Sequence, residues 1–277
     1  MRVRNIIVGL VVVATSLGFL LAGVSGLKWF TVETPSMGQA APRGSLVVTE
    51  PVAFNQLVVG DIISFHPPTS PTQTYTHRIA AITANGVVTK GDINGSVDGW
   101  NLHSKDLIGR ATLILPAAGW LLKILPLLGV GLLLVWALSL LVPNRQARGS
   151  LRLFGSSMVF TYAITMVRPF SNFEVVDSLP SPLGKNQVDY TVVNTGILPM
   201  AFKSSDGSSI VLNDGQVGVV HATVNPSANF VDLGAHLSLQ PWQMVTFGFI
   251  GAIPLMISIL HFLKSRRVVP SELASQA

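Results

Sequence analysis

Four apolar stretches constrain this chain more than anything else in it: residues 6–26, 124–142, 153–167 and 242–263. A helix that crosses a bilayer needs about 20 predominantly apolar residues, and three of the four reach that length. The third does so only when Leu151 and Phe170 are recruited at its ends, and Ser156, Ser157 and Thr161 dilute it, so a helix lying in the interface is the alternative there. Composition agrees with a membrane protein, because 49% apolar and 11% charged residues fall outside the range of ordinary soluble domains.

Basic residues near the ends of spans stay on the cytoplasmic side. Arg2 and Arg4 precede the first stretch, Arg145, Arg148 and Arg152 separate the second from the third, and Lys264, Arg266 and Arg267 follow the fourth. Four crossings place all three clusters on one side, whereas three would leave the basic tail outside. The expected organisation is therefore an anchor (residues 1–27), an extracytoplasmic segment (28–116), a second span (117–143), a basic cytoplasmic loop (144–152), a weak third span (153–170), a second extracytoplasmic segment (171–240), a fourth span (241–263) and a cytoplasmic tail (264–277). Ala22, Gly23 and Ser25 imitate the end of a cleavable secretory signal, but the apolar run before them exceeds the roughly 7–15 residues of such a signal. An uncleaved anchor is the better reading, with Lys28, Trp29 and Phe30 as an interface belt.

Both extracytoplasmic segments read as β. In the first, residues 45–49, 62–66, 74–82, 87–90 and 108–115 are short runs rich in Val, Ile and Thr. Gly60-Asp61, Asn85-Gly86 and Gly91-Asp92 punctuate them, Asn85-Gly86 as a tight hairpin. In the second, residues 188–193, 210–212 and 217–224 alternate with Asn194-Thr195-Gly196, Asp206-Gly207 and Asn213-Asp214-Gly215, the pattern of a small β-sandwich. The fold class is thus α-helical spans carrying two mainly-β extracytoplasmic domains.

The net charge of +5 is largely accounted for by the basic clusters at the spans, and no base-reading or phosphate-cradling motif accompanies it, so nucleic acid is not an expected partner. With no cysteine, the chain has neither disulfides nor thiolate metal sites. His66, His103, His221 and His236 are scattered and form no ligand set, and His261 reads as an interfacial side chain, so no metal is implied and no cofactor is required.

Chemistry concentrates in three segments: Thr34-Pro35-Ser36-Met37, Thr76-His77-Arg78-Ile79, and the run from Thr89-Lys90-Gly91-Asp92 to Asp98. A serine hydroxyl becomes a useful nucleophile when a neighbouring base takes its proton, and imidazole can accept that proton and return it to a leaving amine. A carboxylate on the far side of the ring fixes its tautomer and stabilises the imidazolium. Ser36 and His77 fit the first two roles. Taken singly, Ser36 reads as a turn serine, His77 as a core or interface histidine and Gly91-Asp92 as a common turn. Their order just after a membrane anchor is what raises them above those readings.

In order and spacing the three segments resemble the Ser-Met, His-Arg and Lys-Gly-Asp boxes of signal peptidase I of the endoplasmic-reticulum, archaeal and sporulating-bacterium type. Gly60-Asp61 and Ile108-Gly109-Arg110 resemble strand starts of that family, and the likeness covers residues 6–142. The resemblance implies a signal-peptidase-like β catalytic domain and a membrane-bound serine endopeptidase. It would remove leader peptides from exported proteins outside the membrane, with small side chains at the first and third positions before the cut. It also implies Asp98 as the orienting carboxylate, Asp92 as a residue that shapes the site or shares its hydrogen bonds, and an oxyanion hole from the Ser36 N–H and the Thr34 hydroxyl. Bacterial relatives use a lysine base, which keeps Lys90 as a rival to His77.

The chain departs from the family pattern at three places. Pro35 stands where Gly is usual, Gly38-Gln39-Ala40-Ala41 replaces an acidic residue followed by Pro, and Ser45 replaces Asp. These departures read as an altered substrate preference or as a degenerate enzyme, and the alternative function is a catalytically degenerate scaffold that binds an exported partner protein through residues 171–240. Because every candidate catalytic residue precedes Pro116, chemistry is expected to be independent of the residues after the second span.

Overall fold

The structure, a computed structural model, describes residues 26–182, 187–204, 207–223, 234–249, 252, 256 and 259. Most of the first apolar stretch, much of the fourth, the basic residues Arg2, Arg4, Lys264, Arg266 and Arg267, and His261 lie outside the described residues. The chain packs as two units, residues 1–123 with 167–237, and residues 124–166 with 238–277.

Within the first unit, six strands form one antiparallel sheet: β1 (Lys28–Thr31), β2 (Leu46–Glu50), β3 (Ile62–Phe65), β4 (Tyr75–Thr83), β5 (Gly86–Lys90) and β6 (Leu107–Leu115), in the order β1-β2-β6-β3-β4-β5. Period-two alternation turns Ile79 of β4 and Val87 of β5 into a core completed by Leu57, Ile63, Phe65 and Leu102. Strand β3 is central, and its Ser64 is fully buried as well. The Ser64 hydroxyl is satisfied between Thr49 at 3.0 Å and Thr76 at 3.1 Å. The expected hairpin closes through Ala84 and Asn85, with Gly86 (φ +123°) as the first residue of β5. A Cβ at Gly86 would lie 2.5 Å from the Leu102 carbonyl oxygen.

Lys28, Trp29 and Phe30, expected as an interface belt, form strand β1, paired in register with Thr49, Val48 and Val47.

The second β region contains β7 (Phe173–Pro180), β8 (Gln187–Asn194), β9 (Met200–Lys203), β10 (Ser209–Leu212), β11 (Val217–Thr223) and β12 (Gly234–Leu237). They form two three-stranded antiparallel sheets, β11-β8-β7 and β10-β9-β12. Val192 and Val220 from one sheet meet Met200, Phe202 and Leu212 from the other in a shared apolar core, the arrangement of a sandwich. Asn194 ends β8 fully buried. Its side-chain amide donates to the Leu198 and Leu212 carbonyls and its side-chain oxygen accepts from the Gly196 N–H, so it ties three chain segments at one corner.

The second unit holds most of α1 (Ala118–Leu140) and of α2 (Arg145–Val167), each 23 residues and long and apolar enough to cross a membrane. At a rise of roughly 1.5 Å per residue each spans about 34 Å, against about 30 Å of hydrocarbon core. Segment 144–152, expected as a loop, is helical from Arg145 onward, because the Asn144 side chain caps the helix by accepting the Gln146 and Ala147 N–H groups. The two helices approach closely at glycines: a Cβ at Gly131 would meet Val159 at 2.5 Å, and one at Gly155 would meet Val135 at 2.9 Å. Arg152 reaches Ser139 across the pair at 2.8 Å. Residues 241–249, at the start of the fourth apolar stretch, are helical.

Candidate active site

Ser36 lies in the loop between β1 and β2, on a four-residue turn closed by the Gly38 N–H donating to the Pro35 carbonyl at 2.7 Å. Met37, fully buried, anchors the turn from beneath. The Ser36 carbonyl accepts the Ile93 N–H at 3.0 Å, which joins the Ser36 turn to the loop that follows β5. Gly91 is required there, since a Cβ would sit 2.8 Å from the Ser36 carbonyl oxygen. Proline at 35 therefore serves the turn through its carbonyl, and the donor it lacks is not called upon.

His77 projects from the core face of β4, two residues before Ile79. Its ring is edged by Phe65 at 6.1 Å and Tyr75 at 5.8 Å between centroids. Nε2 is 3.0 Å from the Ser36 hydroxyl oxygen, and Nδ1 is 2.7 Å from Asp98 Oδ2. An ionised carboxylate only accepts, so Nδ1 carries the proton and Nε2 is left to accept from the serine. The His77 and Asp98 side chains are 6% and 7% exposed, dry enough for these bonds to hold the ring in one orientation.

Asp98 is placed by Thr89. The Asp98 N–H donates to the Thr89 carbonyl at 2.8 Å, and the Thr89 hydroxyl donates to Asp98 Oδ2 at 2.5 Å. Sequence reasoning overlooked Thr89. Its signal was present, because Thr89 directly precedes Lys90 and lies two residues after core Val87, on the buried face of β5.

The same alternation separates Lys90 from the serine. Lys90 stands opposite Arg78 in the β4–β5 ladder, whereas Thr89 stands opposite Ile79, so Lys90 projects from the face away from His77. Asp92 is likewise not brought to His77 or Asp98. Both its oxygens are bound by Arg78, at 2.9 and 2.7 Å, and Arg78 also donates to the Gly60 carbonyl at 3.0 Å. This bidentate bond raises the Arg78 pKa above its ordinary value and ties the start of the Asp92 loop to the Gly60 turn. Thr34 lies beside Ser36, with the two hydroxyl oxygens 3.3 Å apart.

Residues 3–109 match the family model described as signal peptidase, peptidase S26. Over this segment the chain is similar to that family. The signal peptidase match contains Ser36, His77, Thr89 and Asp98, and it ends at Gly109 in β6. No curated protein matches the chain. Signal peptidases of this family are membrane-associated serine peptidases, consistent here with two helices able to cross a bilayer.

His66, His103 and His221 make their bonds elsewhere. His66 Nδ1 bonds the Gln73 carbonyl at 2.8 Å, and His103 caps a short helical turn with Asp106. His221 pairs with Asp189 at 2.7 Å between β11 and β8, and that bond holds the Asp189 carboxyl below the usual carboxylate range.

Proposed function

We propose that this chain is a membrane-bound signal peptidase that removes leader peptides by acyl-enzyme chemistry. Ser36 is the nucleophile, His77 the general base and Asp98 the orienting carboxylate. The observation that carries the reading is the continuous hydrogen-bonded chain from Ser36 through His77 to Asp98 inside the family-matched segment. The Ser36 hydroxyl attacks the scissile carbonyl carbon while His77 Nε2 takes its proton, and Asp98 stabilises the resulting imidazolium. The Ser36 N–H and the Thr34 hydroxyl donate to the developing oxyanion. His77 then protonates the leaving amine as the C–N bond breaks. In the second half, His77 deprotonates a water that attacks the acyl ester, and the serine recovers its proton as the leader peptide departs. Asp92 acts through Arg78, by shaping the loop that ends in Asp98.

The surrounding architecture follows from the same reading. Four spans leave residues 28–116 and 171–240 outside the cytoplasm, where leader-bearing exported proteins emerge. The degenerate scaffold is the weaker alternative, because a vestigial site has no reason to keep Ser36 at 3.0 Å from an imidazole that is itself oriented.

Detergent-purified protein incubated with leader-bearing precursors tests this directly, with new N-termini read by sequencing. Ser36→Ala and His77→Ala should each lower turnover by about 10⁴-fold or more, and the double variant should be no worse than either, since nucleophile and base act as a unit. Near-normal turnover in His77→Ala with loss in Lys90→Ala would replace the histidine by a lysine base. Cleavage that persists in Ser36→Ala, or is absent from the wild type, would sink the peptidase reading.

A further inference from the structure

The turn that carries Ser36 does not rest on its own sheet alone. Gly215 of the β-sandwich packs backbone to backbone against it: a Cβ at Gly215 would lie 2.5 Å from the Gly38 carbonyl oxygen and 2.9 Å from the Gln39 nitrogen. A Cβ on Gly38 would in turn lie 2.6 Å from Ile93 Cγ2 and 3.4 Å from the Gly215 carbonyl oxygen. Gly38 is two residues from the nucleophile, and its N–H closes the Ser36 turn. The turn is therefore packed against both the loop that leads to Asp98 and the sandwich.

The sandwich side of this packing is stiff. Residues 213–216 form a turn in which the Gln216 N–H donates to the Asn213 carbonyl at 2.9 Å, and the Gln216 side-chain oxygen accepts the Asn213 N–H at 3.0 Å. Buried Asn194 holds this turn through its backbone, accepting the Gly215 N–H at 2.8 Å and donating to the Gln216 carbonyl at 3.1 Å. A second tether lies further along the nucleophile loop, where Arg43 pairs with Glu174 of β7 at 2.9 Å. The Gly215 contact falls on Gly38 and Gln39, within the four residues at which the chain departs from the family pattern.

We infer that the 213–216 turn of the sandwich is a positioning element of the peptidase site, holding the Gly38–Gln39 backbone and through it the Ser36 hydroxyl within reach of His77. This rests on the proposed Ser36 chemistry and reverses the expectation that catalysis is independent of residues after the second span. Gly215 (φ +70°) and Gly38 (φ +51°) suit these places because each takes a left-handed conformation and neither carries a Cβ to force the two backbones apart. Proton transfer from Ser36 depends on its distance to His77 Nε2, so a displacement of the turn by about 1 Å reduces the chemical step by roughly 10- to 100-fold without removing any catalytic group.

The experiment uses the full-length protein in detergent, a short leader-derived peptide and a fluorophosphonate probe that acylates active-site serines. Gly215→Ala should lower kcat and the rate of Ser36 labelling together by roughly 10- to 100-fold, with KM changed less than about twofold. Gly207→Ala is the control: Gly207 also has positive φ (+87°) in the sandwich but has nothing within 4 Å of its would-be Cβ, so it should keep wild-type kinetics. A folded Gly215→Ala protein with wild-type turnover and labelling would overturn the inference while leaving the Ser36 and His77 assignments intact. An inactive wild type, or a Ser36→Ala protein that still cleaves, would instead refute the peptidase reading beneath it. Should Gly215→Ala fail to fold, the charge pair decides: Arg43→Glu should slow labelling about fivefold, and Glu174→Arg in the same chain should restore it. No loss, or no restoration, overturns the inference.

Discussion

At the scale of single residues, the candidate site is a chain of donors and acceptors running from Ser36 through His77 and Asp98 to Thr89. Thr89 is the member farthest along it from Ser36. Its hydroxyl and the His77 Nδ1–H both donate to Asp98 Oδ2, so the carboxylate is held from two directions. Thr89→Val preserves shape and removes one donor. We expect about a tenfold lower kcat with unchanged KM, an altered pH–rate profile because the base is less well oriented, and recovery in Thr89→Ser, all measured on a leader-derived peptide. Unchanged kcat in Thr89→Val would show that His77 and the Thr89 backbone suffice to hold Asp98.

At the scale of elements, two local geometries matter most. The β4–β5 hairpin sorts two neighbouring residues of opposite consequence, Thr89 onto the face of His77 and Lys90 onto the face of Arg78. The 213–216 turn carries Asp214, a half-buried carboxyl that burial pushes up to about 6, with only the Gly215 N–H opposing the shift. The folded value lies above the ordinary 3.8, so the folded chain binds this proton more tightly than the unfolded chain. Stability from this group is fully present below pH 3.8, declines as pH rises toward about 6, and stays diminished above it. Asp214→Asn is neutral throughout. Its thermal unfolding temperature in detergent should exceed that of the wild type above pH 6, and the difference should vanish below pH 3.8. Equal temperatures at pH 8 would show that the carboxyl is solvated rather than buried against the turn.

At the scale of the whole molecule, helices α1 and α2 bring the chain back to the side it left when both cross the bilayer. Residues 1–123 and 167–237 pack as one unit, which requires the two β regions to share that side. The chain has no native cysteine, so single cysteines introduced at Ser104 and Ser208 report topology directly. An impermeant thiol reagent applied to intact cells should label both. Labelling of the first alone would mean that α2 does not cross, and the shared unit could not then form.

Much of this molecule is legible in its sequence because local pattern carries it. Five of the six strands around the site follow from Val, Ile and Thr runs bounded by Gly-Asp and Asn-Gly turns; Ser36 and His77 stand out by order and residue type after the first apolar stretch, and Asp98 is added by the family resemblance. Strands β7, β9 and β12 were not legible. β9 and β12 are four residues long, and β7 is largely exposed, so none carries enough alternation to be read. Three further features are fixed only by tertiary structure: the Thr89 bond to Asp98, the pairing of Asp92 with Arg78, and the seating of Gly215 on Gly38. Each depends on which residues a ladder register or a packed turn brings within about 3 Å. Periodicity determines which face a side chain takes, but the partner waiting on that face is set by strands and turns that can be more than a hundred residues away in the chain.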